Sequence, residues 1–329
     1  MQKSHILILT LLMFPCFLIM LNDNGINDQI EDNLVFKQKL SDYALYQGNI
    51  SDLIPCEKAE VLDIASALFT DYAEKQRLII LPKGQRMKAR GNGLPDFPDG
   101  TIIAKTFFYQ NIENQRTYRK HILETRLLIK HQGQWNASTY KWNDAQDEAY
   151  LLKHGATVRV SFIDEKGNSG KTNYKIPSRA DCISCHRQND QILPIGLQLR
   201  NINIVISRQQ HYVNQLEYLQ QKGKLDISNT NQIATTIDYS NEAEPLEKRA
   251  RAYLDINCAH CHQPSGTGYI TQLDLRNETP INLTAIWLKQ GKIIYRMTTP
   301  GDLHMPKIGT TIQHDAGVKL ILDYISKLK

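Results

Sequence analysis

The sequence predicts a multidomain α+β chain. It has a β-rich N-terminal domain, built as a barrel or a sandwich, then a short segment with a motif of its own, then an all-α C-terminal domain. Three observations predict this. Between about 95 and 177, β-branched and aromatic runs alternate with turn-forming residues. Near both ends of 244–329, apolar residues recur at helical intervals. Two matching cysteine–histidine motifs, at 182–186 and 258–262, mark where the β-rich part stops and where the last domain begins.

The chain has 329 residues, 41% hydrophobic and 22% charged, which suits a globular protein of two or three domains and excludes a disordered one. Its net charge of +5 is spread without a long basic run, so nucleic acid is not an expected partner. After the basic Lys3 comes an apolar run over 6–21, broken only by Thr10 and Pro15. This is the pattern of a secretory signal. No small-x-small cleavage site follows, because Asn22-Asp-Asn-Gly25 is polar, so residues 1–22 read as a signal peptide or a membrane anchor. The run is shorter than the roughly 18 residues or more of a spanning helix.

In chain order, the N-terminal region covers 35–177. Spacing predicts helices over 35–46 and over 59–72, the second with Val61, Ile64, Ala65, Leu68 and Phe69 on one side. A stretch rich in Gly and Pro at 91–100 breaks the pattern. Strands are expected at 101–109, 122–131, 157–163 and 172–176, separated by Gln132-Gly133 and by the turn residues of 165–170. The motif segment is 178–225. It holds an expected helix over 211–221, with Tyr212, Leu216 and Leu219 on its apolar side and Gly223 closing it. Residues 226–243 are polar and read as a linker. The last domain, 244–329, opens with a helix that starts near Pro245 and carries Leu246, Ala250, Tyr253 and Leu254 inward. It closes with a helix over 314–329, striped by Val318, Ile321, Tyr324, Ile325 and Leu328.

The motifs carry the chemistry. Cys182-Ile-Ser-Cys185-His186 and Cys258-Ala-His-Cys261-His262 both read C-x-x-C-H, the attachment sequence of a c-type haem. Two thiols three positions apart add to the two vinyl groups of one porphyrin, and the adjoining imidazole ligates iron. Cys182 and Cys185 would hold haem 1 with His186 as ligand. Cys258 and Cys261 would hold haem 2 with His262. A thioredoxin-like pair needs no following histidine. A zinc ribbon separates its thiol pairs by about 15–20 residues, far fewer than lie between these two. With four thiols assigned to haem and Cys16 in the signal segment, Cys56 is left alone and no structural disulfide is expected.

Ahead of the last helix lies Leu303-His-Met305-Pro306, which resembles the sixth-ligand loop of a class I cytochrome c. Met305 is therefore the expected sixth ligand of haem 2, and 244–329 is expected to be class I cytochrome c-like. Met297 and His304 are alternatives, with core packing and an exposed loop as their plainer readings. His260, inside the second motif, is expected to point away from its own iron, towards the surface. For haem 1 the candidates are Met87, His121, His131, His154 and His211, none favoured. Arg126 and Trp142 are candidates to line haem 1, against the plainer readings of an ion-paired arginine and a core tryptophan.

The chain resembles the Shewanella-type family of bacterial dihaem c-type cytochromes. The resemblance runs from about residue 36 to the end. It rests on phrases such as Phe97-Pro-Asp-Gly-Thr-Ile-Ile-Ala-Lys-Thr-Phe107, Pro194-Ile-Gly196, Arg200-Asn-Ile-Asn203 and Arg249-Ala-Arg-Ala-Tyr-Leu-Asp-Ile-Asn-Cys258. It implies two covalently bound haem c groups and electron transfer between redox partner proteins. Because family members are often encoded beside an exported parallel β-helix protein, such a protein becomes a candidate partner. The expected place is the periplasm, either free or held to the inner membrane by the N-terminal segment. Electron carriage is the expected function. The alternative is a peroxidase-like dihaem oxidoreductase whose haem 1 is open on one side.

Overall fold

The β-branched run after Thr101 grows into the central pair of a sheet. In the computed structural model, which describes residues 34–328 apart from 114, 115 and 209, six strands are joined edge to edge. They are β1 (Ala59–Val61), β2 (Glu74–Ile80), β4 (Ile102–Glu113), β5 (Arg116–His131), β6 (Gln134–Trp142) and β7 (Ala149–Leu151), in that spatial order and all antiparallel. The short β3 (Met87–Lys88) stands outside this sheet and pairs in parallel with Leu225–Asp226. Gln132 and Gly133 join β5 to β6 with φ of 49° and 77°. Positive φ at both positions is what a two-residue hairpin of matching twist requires. The expected segment 1–22, with Cys16, lies outside the described residues.

The sheet stays open, with β1 and β7 as its edges, so the barrel that was one of the two expected forms is not made. The reason lies at its edge strands, which are three residues long and face loops. One face is covered by irregular chain from the N-terminal side, where Leu40, Leu45 and Leu53 are buried. On that face, hydroxyls link Tyr46 to Thr106 at 2.7 Å and Thr106 to Thr125 at 2.8 Å. The other face, called the inner face below, is covered at one end by a hairpin of β8 (Ala156–Ile163) and β9 (Ser169–Ile176). Val160, Tyr174 and Ile176 of that hairpin pack on Phe107, Tyr109 and Leu123. The rest of the inner face meets the helical half of the chain.

Register sorts the inner face into rows. Ile79, Ile103, Leu128 and Ala137 stand side by side across β2, β4, β5 and β6. This apolar row joins Cys182, Leu197, Leu199, Ile202, Leu216 and Leu219 in one core. The next row along the strands is Arg77, Lys105, Arg126 and Thr139.

The helices are α1 (Arg179–His186), α2 (Leu199–Ile202), α3 (Gln215–Gln221), α4 (Leu246–Asn257), α5 (Ile286–Thr298) and α6 (Asp315–Ser326). α4, α5 and α6 share a second core of Tyr253, Leu254, Ile293, Met297, Ile321 and Ile325. The opening and closing helices of this last part fall where the spacing predicts them, and α5 is additional. Among the described residues no helix is long and apolar enough to cross a membrane.

Three expected elements are corrected. No α-helix forms at 35–46, where Lys39 bridges to Tyr150 and only Ser41–Tyr43 makes a 3-10 turn. Residues 59–72 begin as β1 and continue without helix. Their donors bond elsewhere: Ala65 N–H to the Asn201 carbonyl, Ser66 N–H to Asn201 Oδ1 and Phe69 N–H to Asn257 Oδ1. Long-range acceptors have displaced the local ladder here. The helix expected over 211–221 starts only at Gln215. Asn214 caps it by accepting from Leu216 N–H, and Tyr212 is exposed on the preceding strand. Residues 226–243 are well fastened: Ile227 and Ile233 are buried, and Ser66 Oγ donates to the Ile237 carbonyl at 2.7 Å. By packing, Val35–Lys329 form one compact unit.

Candidate functional site

The first motif sits on α1 itself. Ser178 caps that helix: its hydroxyl accepts from Asp181 N–H, and the Asp181 carboxylate accepts from Ser178 N–H. One turn of helix then puts Cys182, Cys185 and His186 on the same side, at i, i+3 and i+4. Cys182 is buried against β6, where its Sγ is 3.5 Å from Thr139 Oγ1. Burial pushes its thiol up, against the opposing pull of Arg126. The His186 Nδ1–H donates to the Leu193 carbonyl at 2.7 Å, which leaves Nε2 as the free nitrogen. Burial lowers this imidazole to about 4, so it is neutral, the form that ligates a metal.

The second motif follows the C-terminal end of α4. Cys258 caps the helix, its N–H bonding to the Leu254 carbonyl at 2.9 Å. Burial pushes the Cys258 thiol up to about 12. His262 Nδ1–H donates to Thr271 Oγ1 at 3.0 Å, and that hydroxyl donates onward to the Gly268 carbonyl at 2.8 Å. Gly268 runs so close that a Cβ there would stand 3.0 Å from both Cys261 O and His262 Nδ1. Burial lowers the His262 imidazole as well. Each motif histidine therefore presents one nitrogen fixed by an acceptor and the other free, the arrangement that orients metal-binding imidazoles.

The fold lays the motifs side by side. Thr267 Oγ1 donates to the Ser184 carbonyl at 3.2 Å, and Asn189 N–H donates to the Ser265 carbonyl at 2.8 Å. Cys185, His260 and Cys261 bring their ligand atoms within 4.8 Å of one another. The hydrogen bond with Cys261, and then burial, hold the Cys185 thiol protonated. Sequence spacing excludes a zinc ribbon, yet folding assembles three zinc-type ligands from the two motifs.

A narrow cleft, partly open to solvent, lies over the first motif. Its walls include Cys182, Cys185 and His186 from α1, Arg77, Lys105 and Arg126 from the sheet, and Pro306, Ile308 and Thr310 from the loop before α6. His260 also lines it, half-buried, with its Nδ1 sealed from solvent and lacking a hydrogen-bond partner. The expectation that His260 faces the surface is thus corrected. It is turned inwards because the second motif packs against the first.

Arg126 combines two readings. It lines the cleft, and it is ion-paired with the fully buried Glu124. Trp142 is a core residue whose Nε1–H donates to Thr125 Oγ1 at 3.0 Å. Met87, His121, His131, His154 and His211 are not among the residues lining the cleft. Met297 is buried in the α4–α5–α6 core, as its plainer reading has it. Met305 is half-buried on the loop between α5 and α6, its N–H donating to the Arg296 carbonyl at 2.8 Å. Cys56 is half-buried and unpaired.

The site is a thiol- and imidazole-lined cleft between the face of an open antiparallel sheet and two neighbouring motifs. No protein-family model, curated protein or solved structure matches the chain significantly.

Proposed function

We propose that the chain is an exported dihaem c-type cytochrome that carries electrons between periplasmic or membrane redox partners. The observation that carries this reading is the paired geometry of His186 and His262. Both follow a C-x-x-C pair, both are neutral, and both have Nδ1 engaged by an acceptor so that Nε2 is free. The residues present fit the group: a buried Cys182 and a half-buried Cys185 precede His186, half-buried Cys258 and Cys261 precede His262, and a cleft adjoins the first pair. Cys182 and Cys185 would hold one haem and Cys258 and Cys261 the other. When bound, the haems supply reversible one-electron exchange at iron. The protein's part is to orient each imidazole, exclude water from the first motif through the apolar row, and hold the two attachment points together. Met305 would supply the sixth ligand beside His262, and 244–329 would serve as a class I cytochrome c-like unit. Export to the periplasm, with the N-terminal segment cleaved or kept as an anchor, and a parallel β-helix partner belong to the same reading.

A denaturing gel stained for haem, with a pyridine haemochrome count on the holoprotein, tests it. Two haems per chain that survive denaturation are expected. Haem that extracts into acidified organic solvent overturns it.

Two other readings have an observation each. Cys185, His260 and Cys261 would hold a zinc ion in a chain that never receives haem. Elemental analysis showing one zinc and no haem favours that. Among the described residues no methionine lines the cleft beside His186, which is the arrangement expected of an open haem 1 and a peroxidase-like oxidoreductase. Carbon monoxide binding to the reduced wild type favours that.

A further inference from the structure

The row of Arg77, Lys105 and Arg126 is unusual for the inside of a sheet. The three are direct cross-strand neighbours on β2, β4 and β5. Like charges so placed oppose folding. Strands lie about 4.8 Å apart, so the row spans about 10 Å from Arg126 to Arg77. All three line the cleft that holds Cys182, Cys185 and His186. Only Arg126, at the thiol end, has an acid partner, the buried Glu124. Arg77 and Lys105 form no ion pair among the described residues. Burial first, and then Arg77, Lys75 and Arg126, hold the Lys105 ammonium well below its ordinary range. Asp63 acts on Arg77 and Glu124 on Lys105 without closing an ion pair to either, so an anion lying along the row would favour the charged form of Lys105.

The row also has a direction. Thr139 continues it on β6, and the Cys182 thiol touches Thr139. A group tethered at Cys182 and lying along the row would therefore carry its far edge over Lys105 and Arg77. A porphyrin bound through its vinyl groups carries both of its carboxylates on the opposite edge. We infer that Arg77 and Lys105 are a carboxylate-binding pair for the porphyrin attached at Cys182 and Cys185, the Glu124-paired Arg126 serving as the floor between. This rests on the dihaem reading.

The test uses holoprotein. In Lys105→Met and Arg77→Met, one of the two reduction potentials should fall and the other should stay. A cation near the ring favours the form with one more electron, and its loss removes that help. Lys105→Arg should restore the wild-type value. Lys83→Met, at an exposed position, is the control and should move neither potential. Two covalent haems with both potentials unchanged in the Arg77→Met/Lys105→Met double variant would overturn the inference while leaving the dihaem reading intact. Absence of covalent haem from wild type overturns both. Titration with inorganic phosphate separates the two sources of anion. If phosphate shifts a wild-type potential but not that of the double variant, the row binds a free oxyanion and the porphyrin assignment is wrong. A phosphate-insensitive wild type supports it.

Discussion

The ligand atoms of Cys185 and Cys261 lie within 4.8 Å of each other, although the two residues belong to different motifs and different elements. In the proposed dihaem protein each thiol would be one attachment point, so the two groups joined to them would meet edge to edge at this place. That closeness yields the first expected outcome. The wild-type holoprotein should give a split Soret band in circular dichroism, the mark of two coupled chromophores. Cys182→Ala/Cys185→Ala should halve the haem content and leave a simple, unsplit band. A split that persists with one haem per chain would show that it comes from elsewhere.

Thr271 has two tasks at the second motif. Its oxygen accepts the His262 Nδ1–H, and its proton goes to the Gly268 carbonyl. Thr271→Val keeps the shape and removes both bonds. It should cost about 1 kcal/mol, the net worth of a typical hydrogen bond, because these groups are half-buried. Urea unfolding of the holoprotein measures it, and Thr271→Ser should recover most of the loss. An undisturbed midpoint in the valine variant would mean that water satisfies the imidazole.

Much of the frame is legible in the chain, and the failures have physical causes. β4 and β5 are visible because their residues are β-branched or aromatic and Gln132-Gly133 is a hairpin turn. β2 and β6 are not. In β2 the inward positions include Lys75 and Arg77, which break the apolar alternation that marks a half-buried strand. In β6, Asn136, Ala137 and Ser138 are poor strand formers held by register with β5. The stretch 59–72 has helical spacing, but Asn201 and Asn257 claim its donors from far along the chain. α5 hides because Gly291 interrupts it while Trp287 and Leu288 are exposed. The thiols and histidines of the site are legible because each motif lies within five consecutive residues. Arg77, Lys105 and His260 are not, because only folding brings them to the same cleft. The one trace of the sheet cations in the sequence is that Arg77, Lys105 and Arg126 each stand two positions from an apolar inward residue, Ile79, Ile103 and Leu128.

His314 is 5% exposed and lies at the junction of three elements. Its ring stacks on Phe69 with centroids 4.1 Å apart, Nδ1 pairs with Tyr253 OH at 3.1 Å, and Nε2 pairs with Glu165 at 2.7 Å. Burial, outweighing Glu165, lowers this imidazole below its ordinary 6.5. The folded state then binds fewer protons than the unfolded one below that pH. Stability is whole above about pH 6.5 and falls as pH drops through it towards the folded value. His314→Gln should flatten this loss. Urea midpoints at about pH 7.5 and about pH 5.5 compare the two proteins. Equal drops in both would assign the acid sensitivity to another group.

Asp71 ties the loop before α6 to the sheet. Its carboxylate accepts from Thr311 N–H at 2.8 Å and 3.0 Å, from Ile312 N–H at 3.3 Å and from the Thr311 hydroxyl. Pro306, Ile308 and Thr310 of the same loop wall the cleft. Asp71→Ala should lose about 1.5–3 kcal/mol, as for hydrogen bonds to a charged group. Hydrogen exchange should quicken at 306–312 more than in β4. Uniform quickening would mean that Asp71 supports the whole fold and not this loop.

The same loop carries Met305. The argument for its role has three steps. Under the dihaem reading His262 would ligate one side of one iron, because it adjoins Cys261. The other side needs a ligand from a segment that α6 can brace, and Met305 lies in that segment while Met297 is already committed to the core. Thioether ligation favours the reduced state, so the haem concerned should be the higher-potential one. Met305→Ala should open one haem to carbon monoxide and abolish the weak long-wavelength band of methionine-ligated ferric haem. Met305→His should lower one potential and leave the other nearly unchanged. Because Pro306 and Ile308, just beyond Met305, line the cleft of the first motif, the haem affected must be identified. Repeating Met305→Ala in the Cys182→Ala/Cys185→Ala background does so. Carbon monoxide binding by the single remaining haem places Met305 opposite His262. If that haem stays closed and the band survives, Met305 serves the first motif, or Met297 is the ligand, and Met297→Ala in the same background tells those two apart.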